Sequence, residues 1–168
     1  MFNKVLAALD PVESDNDVFH KALAIAHIQS DTSSDTQLKL LSVLTAEIDS
    51  AFIVPEYSMV GQSYGVNNWN LFEESYKEYQ TNNMAMLRRL SEQSTEKGIH
   101  TGFEQVVGSP GHAICELAKT WKADLIVVGS HQRKGLSEMI LGSVSNYVLH
   151  HAPCSVLVVH QSTSLSNP

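Results

Sequence analysis

Gly129, Gly142, Ser143 and Ser145 are the residues with which this chain could do chemistry, and that chemistry is the capture of an anion. A glycine followed by a capped helix start leaves the first helical amides unpaired and pointing outward. They carry the positive end of the helix dipole, so a phosphate can dock on backbone N–H groups without a cationic side chain. Gly142 is free to take backbone angles that other residues avoid, and Ser143 or Ser145 can N-cap a helix over 144–150. Arg133 and Lys134 lie in the same stretch. They offer charge to phosphate, or form a solvated basic pair. Two such glycines are also ordinary turn and cap residues, so the elements around them must decide.

Those elements read as strand, loop, short helix, glycine turn, longer helix, strand over residues 123–159. Residues 124–128 (DLIVV) form a short apolar run rich in β-branched side chains, suited to a parallel strand buried on both faces. The run ends on Gly129, where a loop takes over. Upstream, residues 4–9 (KVLAAL) predict a central strand that stops at Asp10 and Pro11, because proline cannot pair in a ladder. Asp10 therefore sits at the carboxyl end of a strand, where open parallel sheets place their ligand crevice. The same residue would serve equally well as a loop aspartate capping the next helix. That helix starts from Ser14, Asp15 or Asp17 and runs to about Gln29, its stripe formed by Val18, Ala22, Leu23, Ile25 and Ala26. Residues 37–44 (QLKLLSVL) are the second strand, with Val43 near its carboxyl end.

From 46 to 70 the periodicity is lost among Pro55, Gly61, Gly65 and the aromatics Tyr57, Tyr64 and Trp69, a loop insertion longer than a plain connection needs. Residues 71–97 follow with the clearest helical spacing in Phe72, Tyr76, Tyr79, Met86, Leu87 and Leu90, and Gly98 ends the helix. A third strand over 101–107 leads into Gly108-Ser109-Pro110-Gly111 and a helix to about Trp121, with Ser109 as cap and Pro110 in the first turn. This turn is a second candidate anion site, although capping alone explains it. Strands and helices alternate, which predicts an α/β fold with a doubly wound, five-stranded parallel sheet.

The motif region resembles the nucleotide-binding type of the universal stress protein family. That family carries Gly, two residues, Gly, nine residues, Gly, then Ser or Thr. Here Gly129 is followed by Ser130 and His131, Gln132 stands at the second glycine position, residues 133–141 fill the spacer, and Gly142-Ser143 closes it. The sequence after Gly142 is similar to the family's closing helix and strand, and the resemblance covers nearly the whole chain. It implies a Rossmann-like sheet of order 3-2-1-4-5, like the adenine nucleotide α-hydrolases, over residues 1–160, with a polar tail over 161–168. It also implies an adenine nucleotide, ATP or AMP, between the ends of strands one and four, with Mg2+ accompanying ATP. Gly129, Gly142, Ser143 and Val144 would hold phosphate and ribose, Asp10 and Val43 would flank the base, and Ser130, Gln132, Arg133 and Ser145 complete the site. A glycine permits close backbone approach, so Gln132 must adopt a costlier conformation or reshape the loop. The last strand, 155–159 (SVLVV), would pair with its twin in a homodimer, and an apolar edge strand invites such pairing.

Composition narrows the remaining classes. The chain has 168 residues, 43% hydrophobic and 17% charged, as expected of one globular domain. A formal net charge of −7 speaks against DNA, because backbone affinity rests on clustered Lys and Arg. With neither a spanning apolar run nor a signal peptide pattern, no membrane partner and a cytoplasmic location are expected. Cys115 and Cys154 then read as reduced packing residues. His150, His151 and Cys154 offer no fourth ligand and no expected metal site. No nucleophile elbow, Walker lysine or paired carboxylates stand over the phosphates, so ATP hydrolysis should be slow at most and nucleotide state a sensor or switch. The competing readings are a dimeric interaction protein of the same fold that binds no nucleotide, and an ATP-consuming enzyme.

Overall fold

The computed structural model describes residues 2–10, 17–30, 36–45, 67–130 and 141–160, with side chains at all of these except 29, 30 and 67–72. The elements are β1 (Lys4–Leu9), α1 (Asp17–Ser30), β2 (Gln37–Leu44), α2 (Asn67–Glu96), β3 (His100–Val107), α3 (Pro110–Trp121), β4 (Leu125–Ser130), α4 (Ser143–His151) and β5 (Ser155–His160). All strand pairs are parallel, in the order β3-β2-β1-β4-β5.

Strand alternation divides the core in two. Val5, Ala7, Leu9, Leu38, Leu40, Leu125 and Val127 face α1 and α2, where Phe19, Ala22, Leu23, Leu87 and Leu90 cover them. Leu6, Leu41, Val43, Ile126 and Val128 face α3 and α4, meeting Ile114, Cys115, Ala118 and Val148. A sheet apolar on both faces needs both layers. Each fully buried Leu or Phe contributes about 1.5–3 kcal/mol by leaving water. Both cysteines are free, and burial raises both thiols above the ordinary cysteine range, with Glu116 adding to the effect at Cys115 and Asp124 at Cys154. No helix among the described residues is long and apolar enough to cross a membrane.

Local chemistry sets the ends of the elements. Asp124 Oδ2 accepts from the amides of Asn3 and Lys4, each at 2.9 Å, and so ties the start of β1 to the entry of β4. Gly98 takes φ +79°, and the amides of Gly98 and Ile99 donate to the carbonyls of Thr95 and Ser94, a glycine-dependent stop for α2. Several expected boundaries move. Strand β4 runs through Gly129 to Ser130, because its ladder with β5 continues through the pairs Gly129 with Val159 and Ser130 with His160. Helix α2 starts at Asn67 instead of 71. Helix α1 has Asp17 as its first residue, so Asp17 is not the cap, and Ser14 and Asp15 lie outside the described residues. Neither Ser143 nor Ser145 caps α4. Gly142 is the N-cap, with an ordinary φ of −59°, and Ser145 Oγ donates back to the Gly142 carbonyl at 3.0 Å. Gly142 thus makes no use of the backbone freedom its type suggested. Ser109 is the N-cap of α3, likewise without a side-chain cap bond.

Two glycines are explained by close packing between layers. A Cβ on Gly129 would lie 3.3 Å from Val18 Cγ2, so α1 crosses β4 where a side chain would crowd it. A Cβ on Gly111 would lie 2.7 Å from Tyr147 Cδ1 and 3.0 Å from its Cβ, so α3 and α4 meet there almost backbone to ring. Gly111→Ala is expected to lower stability by about 1–2 kcal/mol, an overpacking cost that exceeds the helical gain of alanine. The melting temperature should fall by roughly 3–6 °C. In a Tyr147→Ala background the same substitution should cost much less; equal costs in both backgrounds would refute the contact.

Candidate functional site

The sheet changes winding direction between β1 and β4. The connection after β1 leads into α1 on one face, and that after β4 leads into α4 on the other. At such a point the two connections diverge and leave a crevice beyond the carboxyl ends of the strands. Asp10 follows Leu9 directly, and Leu9 pairs with Ser42, so Asp10 is level with Val43. Ala8 pairs with Val128, so Ser130 stands at that level too. Three of the expected site residues therefore share one row at the carboxyl edge.

The side chains in this row differ in character. Val43 is buried, in the core facing α3. Ser130 is buried as well, its hydroxyl 3.3 Å from the Val159 carbonyl and 2.9 Å from His160 Nδ1, which ties it to β5. Gly129 lies one residue back, packed beneath α1. Burial raises the Tyr79 phenol of α2 above its ordinary range, and the Asp10 carboxylate adds to the effect.

Helix α4 offers backbone donors at this edge. It leads from the carboxyl end of β4 to the amino end of the parallel β5, so its N-terminus lies at the same edge as Asp10. The first helical bond runs from Asn146 N to Gly142 O at 2.9 Å, so the amides of Ser143, Val144 and Ser145 precede the helical ladder. Ser143 is exposed, Val144 half-buried and Ser145 buried. Such a helix start favours negative charge. Gln132 and Arg133, with residues 131 and 134–140, lie outside the described residues, as do 46–66 of the expected insertion and the tail over 161–168. Residues 67–70 of that insertion belong to α2.

The second candidate turn lies beside β2. Gly108 takes φ +156° and its amide donates to the Leu44 carbonyl at 2.9 Å, while Gly111 is committed to Tyr147. His151 stacks on Tyr147 at 4.0 Å, and its Nδ1 lies 2.8 Å from the Tyr147 carbonyl. Among the described residues no three His, Cys, Asp or Glu side chains are placed to hold a metal ion. Sequence reasoning missed Tyr79, Asn83 and Ser42 as neighbours of the site. One signal was present: Asn83 interrupts the apolar stripe of α2, four residues after Tyr79 and four before Leu87.

Comparison with known proteins agrees with this architecture. The family model described as "Universal stress protein family" matches residues 1–160. Universal stress protein Sll1388 of Synechocystis is 35% identical over 158 residues, 94% of this chain and 97% of that protein. Among solved structures, a universal stress protein in complex with cAMP superposes with a TM-score of 0.58 at 24% identity, covering 96% of this chain and 98% of that one. A universal stress protein family member from Arabidopsis thaliana with AMP bound has a TM-score of 0.57 at 19% identity, covering 96% and 93%. With the family model spanning nearly all of a sheet wound in the order 3-2-1-4-5, the chain belongs to the universal stress protein family.

Proposed function

We propose that this protein binds an adenine nucleotide, ATP or AMP, at the carboxyl edge between β1 and β4, and acts in the cytoplasm as a stress sensor or switch. The observation that carries the reading is the shared level of Asp10, Val43 and Ser130 at the winding switch, with the N-terminus of α4 at the same edge. Relatives of this fold with cAMP and with AMP bound support the ligand class. Asp10 and Val43 flank the base. The amides of Ser143, Val144 and Ser145, with the Ser143 hydroxyl, take ribose and phosphate, and Gly129 and Ser130 at the end of β4, with Gln132 and Arg133 after them in sequence, complete the site. Mg2+ accompanies ATP by neutralising its outer phosphates. Strand β5 pairs with its counterpart in a second copy, since it is a sheet edge whose Val156, Leu157 and Val158 are only half-covered.

Calorimetric titration of nucleotide-stripped protein with ATP and AMP, each with Mg2+, is expected to give micromolar affinities. Absence of heat together with an unshifted melting temperature would replace this reading with that of an interaction protein. Gly142→Asp should abolish binding by placing a carboxylate where phosphate docks, and unchanged affinity would remove the phosphate assignment. Gln132→Gly should raise ATP affinity more than AMP affinity. Equal effects on the two nucleotides would show that position 132 does not serve the outer phosphates.

A further inference from the structure

A polar cluster lies on the α2 side of the sheet, directly beneath the carboxyl edge. Leu9, Ser42 and Gln105 form one row across β1, β2 and β3. Above it Asn83 of α2, 3% exposed, donates through Nδ2 to Gln105 Oε1 at 2.6 Å. Ser42 is wholly buried, and neither Ser42 Oγ nor Asn83 Oδ1 has a hydrogen-bond partner among the described residues. Orphaned buried polar atoms cost stability, and a half-satisfied cluster is worse for folding than an apolar one of the same shape. Such local conflicts with stability concentrate at functional sites.

The position of the cluster accounts for the conflict. Ser42 immediately precedes Val43, which is level with Asp10. Tyr79, one helical turn before Asn83, is close enough to Asp10 for the carboxylate charge to raise its phenol after burial has done so. Helix α2 is thus bonded through Asn83 to the row that immediately precedes Val43 and Asp10, and Tyr79 on the same helix feels the Asp10 charge. Apolar side chains would let α2 slide by small steps over β2 and β3. A directional bond from Asn83 to Gln105 selects one setting, the use for which buried polar groups are best attested.

We propose that Asn83 is a positioning residue: its bond to Gln105 fixes α2 against the ends of β2 and β3 and so holds Val43 and Asp10 in the geometry that receives the base. This rests on the nucleotide reading above for its ligand, but not for its structural part. The test is the paired variant Asn83→Leu/Gln105→Leu in the full chain. It should melt at or above the wild-type temperature, because both polar partners are removed together. Its affinity for ATP and for AMP should fall by about tenfold, the equivalent of one buried polar interaction. Amide hydrogen exchange of the ligand-free variant should accelerate at Val43 and Leu44. Wild-type affinity with wild-type exchange would overturn the proposal. If the unmodified protein binds neither nucleotide, the nucleotide reading fails by itself and exchange at Val43 and Leu44 decides alone, faster exchange supporting the positioning role and unchanged exchange overturning it. Should the paired variant not fold, Asn83→Ser, too short to reach Gln105, takes its place in both measurements: weaker binding with faster exchange supports the positioning role, and wild-type values overturn it.

Discussion

The burial of β1 on both faces and along both edges is the constraint on which the rest of this structure depends. Val5, Leu6 and Ala7 are all fully buried, although successive side chains point in opposite directions. A strand in that situation needs a helical layer above and below and a hydrogen-bonded neighbour on each side. Strands β2 and β4 fill the neighbouring places, and the helices that follow β1 and β4 lie on opposite faces, so that both layers are supplied. The crevice beyond Leu9 is a by-product of that division.

The same constraint explains why backbone groups dominate the proposed site. Small residues and close approaches are already needed where layers meet: Gly129 under Val18, and Gly111 under Tyr147. Glycine at 129 therefore serves packing whatever else it does, and its presence in a ligand motif and in a core contact is one fact with two causes. Ser130 is similar, since its hydroxyl is engaged by β5 while its backbone stands level with Asp10. In the proposed site anion capture falls to α4, where the amides of Ser143 to Ser145 precede the helical ladder and no positive side chain is required.

Helix α2 is the element least committed to a purely apolar role. Its face toward the sheet mixes Leu87 and Leu90 with Asn83, Ser91 and Ser94, all buried. Ser91 and Ser94 satisfy themselves on the carbonyls of Thr101 and Leu90, whereas Asn83 is satisfied on one side only. Polarity is satisfied in the last turns of α2 and left half-satisfied at Asn83 in its middle.

Much of this was legible in the chain alone. Short strand-like segments, most of them apolar, separated by helical periodicity indicate an α/β alternation, because period-2 and period-3.6 patterns cannot substitute for one another. The spacing of Gly129, Gly142 and Ser143 pointed to the end of one strand and the start of one helix, and the structure has Gly129 at the end of β4 and Gly142 and Ser143 at the start of α4. Tertiary structure decided what local pattern cannot carry. Gly129 looked like a strand terminus, yet the ladder to Val159 and His160 carries β4 two residues past Val128, since strand length depends on a neighbour distant in sequence. Ser143 and Ser145 looked like caps, yet Gly142 holds that position. Asn83 was visible only as an irregular letter in an apolar stripe. That it meets Gln105, level with Ser42, follows from parallel register and helix placement, which bring together residues that no local spacing relates.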